Sequence, residues 1–501
     1  MSFIPILNKE RSAWPRPSDK AASPRHSESM KAYKILKIGR NSHGPRVWLS
    51  GKYLLTGGFL PGRRYHVTTG AGTLTLAVHN DGSRVISSKD KGDGRIPVID
   101  LNSSALLQLF EGLTAVRVIV REGKITLLPL ASEARRKERL QRLLDRLSRK
   151  CGLLEGSLSH GGGILSSAIH EGLAAAGIGG CLAFANEIRE DLLDQSQERA
   201  PNWTPHSVYL QAPMQELFLD EWAMGQLPKV DILSAGLPCS GASRAGRSKN
   251  KISMPEQHPD VGHLFLSALA IIARVNPALV VFENVETYFT SSATGAVIRS
   301  QLRDMGYRVH ERLMSGQEFN ALEDRKRMCL VAVTEGIPFD FADLDVPAPV
   351  ERHLSEILEE FPEGDPRWSP MAYLVEKEQR DREAGKGFAM QTFGPEDTRI
   401  STITKGYAKI RSTDPKIKHP SKAGLFRQLT PTEHARAKGI DERMVDGLSQ
   451  TAAHEMLGQA VIYAPFREVG ALIGRALKKF AESAEAIAVP APAATLFRAA
   501  A

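Results

Sequence analysis

Cysteine is scarce in this chain. Four are found in 501 residues (Cys151, Cys181, Cys239 and Cys329), far apart and with no CxxC pair. That spacing excludes a disulfide scaffold and the common zinc-ligand patterns, so no metal is expected and a reducing compartment is. Long apolar runs are missing as well. No uninterrupted stretch of about 18 apolar residues occurs, which argues against a membrane span. The N-terminal MSFIPILNKERSAWPRP lacks the apolar core of a secretion signal, and the expected location is cytoplasmic. What remains is ordinary for a globular protein: 42% hydrophobic and 24% charged residues, with length for about two to four domains. The net charge of +8 favours a polyanionic partner without establishing one.

Residues 1–32 are rich in Pro, Ser and charge and read as a disordered tail. From 33 to 130 short alternating runs take over, and two halves align at an offset of 51 (47 to 98). Val47-Trp48 falls on Val98-Ile99, Leu55 on Leu106, Phe59 on Phe110 and Tyr65-His66-Val67 on Val116-Arg117-Val118. Gly72 then falls on Gly123, and Thr75-Leu76 on Thr126-Leu127. Each half reads as strand, short helix and hairpin, a β-rich duplicated module. Its first half, WLSGKYLLTGGFLPGRRYHVTT, resembles the swapped-hairpin units of SpoVT/AbrB-like and SymE-like proteins. That resemblance implies DNA binding by a paired unit; packing or self-association fits the pattern equally. Residues 131–150 place Leu140, Leu143, Leu144 and Leu147 on one face of a basic helix, expected to be a solvated linker.

From 151 the chain alternates strands with helices, the signature of a parallel sheet. A strand at Leu153–Leu158 runs into His160-Gly161-Gly162-Gly163, and a helix follows from Ile164. Glycines between strand and helix let a ligand approach the backbone, although a plain tight turn has the same composition. The next strand, Cys181–Ala185, ends at Asn186-Glu187, where an acid can hold the ribose hydroxyls of a nucleotide-like cofactor. The run Ile232–Leu237 stops at Pro238-Cys239, followed by small and basic residues that include Ser243, Arg244 and Arg247. A lone cysteine is more often a buried structural residue. A thiol at the carboxyl end of a strand, beside cations, also suits a nucleophile. A further strand ends in Glu283-Asn284-Val285, at the same sheet edge. Arg325 and Arg327 alternate on an extended segment, so their guanidinium groups are expected to converge on one site.

The order of these motifs resembles the DNA cytosine-5 methyltransferase family over residues 153–478. Glycine turn and acid are followed by PC, ENV, RxR, RQLTPTEHARAKGI at Arg427–Ile440 and LGQAV at Leu457–Val461. The resemblance implies an α/β fold: a Rossmann-like sheet that binds S-adenosylmethionine, with a small target-recognition domain added. It implies Cys239 as nucleophile, Glu283 as the acid that engages the base, and Arg327 supported by Arg325 at the base carbonyl. His160, Gly161, Gly162, Gly163, Glu187, Pro238, Gly458 and Gln459 would line the cofactor. Double-stranded DNA is the implied partner, its base swung out of the stack because the chemistry cannot occur inside a duplex. The chain departs from the family pattern in places. No aromatic precedes the glycines, no acid follows the third strand before Glu216, and Glu323 stands where Gln is usual. These motifs divide the chain into a catalytic domain at 151–339, a recognition region at 340–426, a return to the catalytic domain at 427–480 and a tail at 481–501.

The recognition region reads as irregular and basic. Lys405, Lys409, Arg411, Lys416, Lys418 and Lys422 cluster in it and suggest phosphate contact; a solvated basic loop has the same composition. Two other activities fit the motifs: a tRNA cytosine-5 methyltransferase of the same fold, and a DNA-binding regulator that has lost its cofactor.

Overall fold

The computed structural model describes residues 29–41, 44–70, 72–92, 94–239 and 250–488. Contacts divide the chain into two units, Met1–Ala134 and Arg135–Ala501.

The first unit is built on internal symmetry. A six-stranded sheet runs in the order Ala32–Lys37, Ala115–Arg121, Lys124–Pro129, Thr73–Val78, Arg64–Gly70, Arg84–Val85. A four-stranded sheet runs Gly39–Asn41, Gly44–Ser50, Gly94–Leu101, Ser87–Lys91. Both orders are palindromic. The sequence offset takes Thr75 to Thr126, and in the sheet these two residues are cross-strand partners. A local two-fold axis therefore passes between the repeats, and each half completes the other as the subunits of a symmetric dimer do. Val47, Leu49, Phe59, Leu74, Phe110, Val116 and Leu127 form the shared core. The repeat is longer than its sequence signal. It also takes in the strands before Gly44 and before Gly94, whose exposed residues carry no apolar pattern.

The second unit holds a seven-stranded sheet. Its strands are β1 (Leu153–Leu158), β2 (Gly180–Glu187), β3 (Val208–Gln211), β4 (Ile232–Ala235), β5 (Leu279–Asn284), β6 (Tyr307–Ser315) and β7 (Lys326–Thr334). The order is β3-β2-β1-β4-β5-β7-β6, with only the β5–β7 and β7–β6 pairings antiparallel. The central strands β4, β5 and β7 are mostly apolar and buried because helices cover both faces. Ile164–Ala175 and Tyr463–Ala488 pack on one face, Leu264–Val275 and Ala293–Asp304 on the other. The order reverses between β1 and β4, which opens a crevice at their carboxyl ends. The last helix runs on to Ala488, so the expected tail from 481 is helical through its first eight residues. Residues 1–28 and 489–501 of the two expected tails lie outside the described residues.

The helix Ala131–Ser148 corrects the solvated-linker expectation. Arg139 is 1% exposed and donates to Thr334 Oγ1 at 2.8 Å and to the carbonyls of Met305 and Gly306, with its guanidinium 3.8 Å above the Tyr307 ring. Arg142 and Arg146 pair with the buried Asp231, at the start of β4. The arginines thus satisfy carbonyls and a carboxylate at the amino edge of the sheet, opposite the crevice.

Glu155 is a buried acid within β1. It accepts from His170 Nε2 at 2.8 Å, from Ser234 Oγ at 2.5 Å and from Ser166 Oγ. Burial raises its pKa, but the bond and charge of His170 and the two hydroxyls outweigh burial and hold it below the usual 4.5. A lowered folded pKa gives stability that is present above pH 4.5 and lost as pH falls through the folded value. Glu155→Gln is expected to flatten the acid limb of a urea-unfolding series. An unchanged limb would remove Glu155 from the account.

In the recognition region regular structure is confined to one α-helix, Ala372–Glu383, two 3-10 turns and strands of two or three residues, but its side chains are not all surface groups. Leu354, Ile357, Ile400, Ile403, Tyr407 and Ile417 form a small core together with Leu322 and Leu429 of the flanking segments. Lys416 belongs to that core rather than to a basic surface. It is wholly buried, and its Nζ donates to the carbonyls of Arg411 and Asp414. No helix among the described residues is long and apolar enough to cross a membrane.

Candidate active site

β4 and β5 are parallel neighbours, with Ala235 opposite Phe282. Cys239 lies in the loop just beyond β4, and Glu283 at the end of β5, so both stand at one edge of the sheet. Cys239 is half-buried rather than sealed in the core. A Cβ added to Gly236 would lie 3.9 Å from Glu283 Oε2, which places the carboxylate beside the loop that carries the thiol. Asn284 fixes that loop, donating from Nδ2 to the Leu237 carbonyl at 3.0 Å. Sequence reading passed over Asn284, although it sits inside the ENV tripeptide. Pro238 is half-buried in the same loop.

The two arginines lie within electrostatic reach of the same groups but take different bonding partners. Arg327 Nε pairs with Glu283 Oε1 at 2.9 Å, and its Nη1 donates to the Lys326 carbonyl. Arg325 is 4% exposed and turns to the end of the helix Gln450–Gln459, donating to the carbonyls of Gly458 at 3.2 Å and Gln459 at 3.5 Å. Those carbonyls have no partner within their own helix, so a cation there is favourable. Burial, then the neighbouring Arg327, pushes the Arg325 pKa down to about 10, with Glu323, Glu283 and Cys239 acting against them. Arg327 therefore bonds the acid, while Arg325, beside it, ties the end of the helix Gln450–Gln459 to the site.

A buried ion pair stands behind Arg325. Lys438 Nζ lies 2.7 Å from Glu323 Oε2, both side chains wholly buried. Glu323 Oε1 accepts from the Ile403 backbone N–H at 3.1 Å and lies 3.9 Å from Arg325 Nη1. The acid that replaces the usual Gln thus meets a lysine brought by the segment after Arg427. Arg427 itself is locked by two 2.6 Å bonds to Glu433, whose carboxylate also closes the N-terminal capping box with Thr430.

The glycine turn follows β1. A Cβ on Gly161 would meet nothing within 4 Å, so this residue lines open space. Gly162 is glycine for packing, and Gly163 both for packing and for its left-handed φ of 80°. A Cβ would fall 2.2 Å from Met456 Sδ at the first and 2.4 Å from Ser196 Oγ at the second. Glu187, at the end of β2, accepts from the Gly161 N–H at 2.8 Å and from the N–H groups of Ile188 and Arg189. His160 does not face the turn's open side. It is buried, bonded to Ser157 Oγ at 2.9 Å and Ser196 Oγ at 2.7 Å, and burial pushes its pKa down to about 4. Gly458 faces protein too, since a Cβ there would lie 2.2 Å from the Lys405 backbone nitrogen. Gln459 is exposed and donates to the Glu455 carbonyl.

Of the residues assigned to DNA, Lys405, Lys409 and Arg411 are exposed. Ser243, Arg244 and Arg247 lie outside the described residues.

Known proteins are similar to this chain. The family model for C-5 cytosine-specific DNA methylase matches residues 168–475. Type II methyltransferase M1.ScrFI of Lactococcus lactis subsp. cremoris is 27% identical over 246 residues, 47% of this chain and 60% of that protein. Type II methyltransferase M.NlaX of Neisseria lactamica is 28% identical over 264 residues, 51% of this chain and 79% of that protein. This chain therefore spans less than two thirds of the length of the first of these relatives. The crystal structure of S. pombe Dnmt2 methyltransferase superposes with a TM-score of 0.50 at 16% identity, covering 65% of this chain and 98% of that one, which speaks for the fold alone. With a family model spanning most of the second unit, the chain belongs to the C-5 cytosine-specific DNA methylase family.

Proposed function

We propose that this protein is a DNA (cytosine-5-)-methyltransferase that uses S-adenosylmethionine and works through a covalent Cys239 adduct. The observation that carries the reading is Glu283, paired with Arg327 at 2.9 Å, at the same sheet edge as the half-buried Cys239. The residues present fit the cofactor. Gly161 borders open space in the crevice, and a carboxylate has about four lone-pair sites, so Glu187 can take ribose hydroxyls while holding its turn. When bound, S-adenosylmethionine supplies the electrophilic methyl group.

Cytosine C5 is electron-poor and does not attack such a methyl unaided. Addition of the Cys239 thiolate at C6 forms a C–S bond, breaks the C5–C6 double bond and moves its electron pair to C5. Glu283 engages N3 and the exocyclic amine and supplies the N3 proton. Arg327 stabilises the charge on the C2 carbonyl oxygen. After C5 is alkylated, a base takes the C5 proton, the C5–C6 double bond re-forms as the C–S bond breaks, and N3 gives its proton back to Glu283, which restores the ring and the thiolate. Arg327→Ala is expected to lower kcat by roughly 10²–10³, the usual cost of one such donor, with little change in folding. A kcat within twofold of wild type would take Arg327 out of the site.

DNA is the substrate we assign. The exposed Lys405, Lys409 and Arg411 of the recognition region suit its phosphates, and we place the protein in the cytoplasm. The first unit closes its two-fold within one chain, so we read it as an accessory DNA-binding module that needs no second copy. Bisulfite sequencing of DNA and tRNA from cells expressing the protein tests the assignment. Methylated cytosines in DNA support it; modified tRNA with unmodified DNA replaces it with the RNA reading. DNA binding with neither product nor cofactor binding replaces it with the regulator.

A further inference from the structure

We propose that His66, His79 and Asp81 form a binding site for one divalent transition-metal ion of the zinc class on the first unit. His66 lies on the strand Arg64–Gly70, and His79 and Asp81 follow the strand Thr73–Val78 of the same hairpin. Their candidate ligand atoms all lie within 4.8 Å of one another. His66 Nε2 is 2.9 Å from Asp81 Oδ1, and His79 Nδ1 contacts the same oxygen. The ring centroids are 5.5 Å apart. Ligands held at about 2.0–2.1 Å around a tetrahedral ion stand about 3.4 Å from each other. A small outward swing meets that spacing, and side-chain exposures of 43%, 63% and 75% leave these groups free to make it.

The backbone beneath the cluster is fixed. His79 N–H donates to the Arg64 carbonyl at 3.1 Å, and the Gly82 N–H to the His79 carbonyl at 3.1 Å. Arg64 Nη1 donates to the Gly82 carbonyl at 2.9 Å, and a Cβ on Gly82 would fall 2.4 Å from the Tyr65 nitrogen. The turn therefore lies flat on the strand and brings Asp81 to His66. The repeat supplies a control. The offset of 51 carries His66, His79 and Asp81 to Arg117, Leu130 and Ser132, none of them a match. At that corner Arg117 Nε ties the hairpin directly, donating to the Pro129 carbonyl at 2.6 Å. One half closes its hairpin with a guanidinium, the other with three metal-ligand side chains.

Two imidazoles and one carboxylate favour Zn²⁺, Co²⁺ or Ni²⁺ over Mg²⁺ or Ca²⁺. Solvent would fill the remaining position, and because His66 comes from one strand of the hairpin and His79 and Asp81 from the segment after the other, a bound ion would tie the two together. Sequence spacing gave no sign of it, because the ligands come from two strands of a hairpin and include no cysteine.

The test uses the full chain stripped with a chelator and titrated with ZnCl₂ by calorimetry. One equivalent is expected to bind, with affinity at least tenfold weaker in His66→Ala and in Asp81→Asn. Co²⁺ should give a visible absorption band that His66→Ala abolishes, and Zn²⁺ should raise the Tm of wild type but not of His66→Gln, which keeps a side chain able to bond Asp81. Binding that survives all three substitutions, or no binding at about 100 µM Zn²⁺, overturns the site. None of these readouts depends on methyl transfer.

Discussion

Cys239→Ala is expected to leave a folded protein that deposits no 5-methylcytosine, with transfer lowered at least about a thousandfold. Removing a nucleophile removes the whole covalent route, whereas removing a supporting group lowers its rate. Folding should be spared, because Cys239 is half-buried in a loop and a change of this kind costs within about 1 kcal/mol. A duplex pool containing 5-fluorocytosine gives a second reading of the same atom. Fluorine at C5 cannot leave as a proton does, so wild type should be trapped as a denaturant-stable adduct and Cys239→Ala should not. Methylation by Cys239→Ala at the wild-type rate would end the covalent reading, whatever else bound DNA.

Below about pH 7, where Lys438 carries its proton, Lys438→Met should cost roughly 3–5 kcal/mol of stability, because it leaves Glu323 without its partner in a wholly buried position. Adding Glu323→Gln should restore most of the loss, since replacing both members of a buried pair is often neutral. Urea unfolding of the two single variants and the double variant measures the coupling. If the double variant is no better than Lys438→Met, the two charges are not a unit. The same variants carry a pH signature. Burial pushes the Lys438 pKa from 10.5 down to about 7, against the pull of Glu323. Between those values the unfolded chain holds a proton that the folded protein has released. Stability from this residue therefore rises with pH across about 7 to 10.5, and falls as pH drops through the folded value. Lys438→Met should remove that slope.

Features with local causes were legible in the sequence. Strands stopped by Gly and Pro, such as Ile232 onward to Pro238, fell within a few residues of their observed ends. The repeat showed in its apolar and turn positions, because each half must bury the same face. Charged side chains misled wherever their partners come from distant segments. Arg139 reads as solvated on its helix, yet Thr334, Met305 and Gly306 wait for it at the sheet edge. Lys416 reads as one of a basic cluster and is a core residue. His160 sits beside the glycines in sequence, while its bonds run inward to Ser157 and Ser196.

The sequence by itself determined the order of strands and turns, the family, and the edge of the sheet that carries the thiol and the acid. Those follow from short-range patterns of polarity and backbone freedom. Only the tertiary structure decided which arginine meets Glu283, that Glu323 has a lysine for a partner, and that two histidines and an aspartate share one corner of a hairpin. A buried charge is tolerated only beside its complement, and chain topology, which local pattern does not encode, chooses that complement.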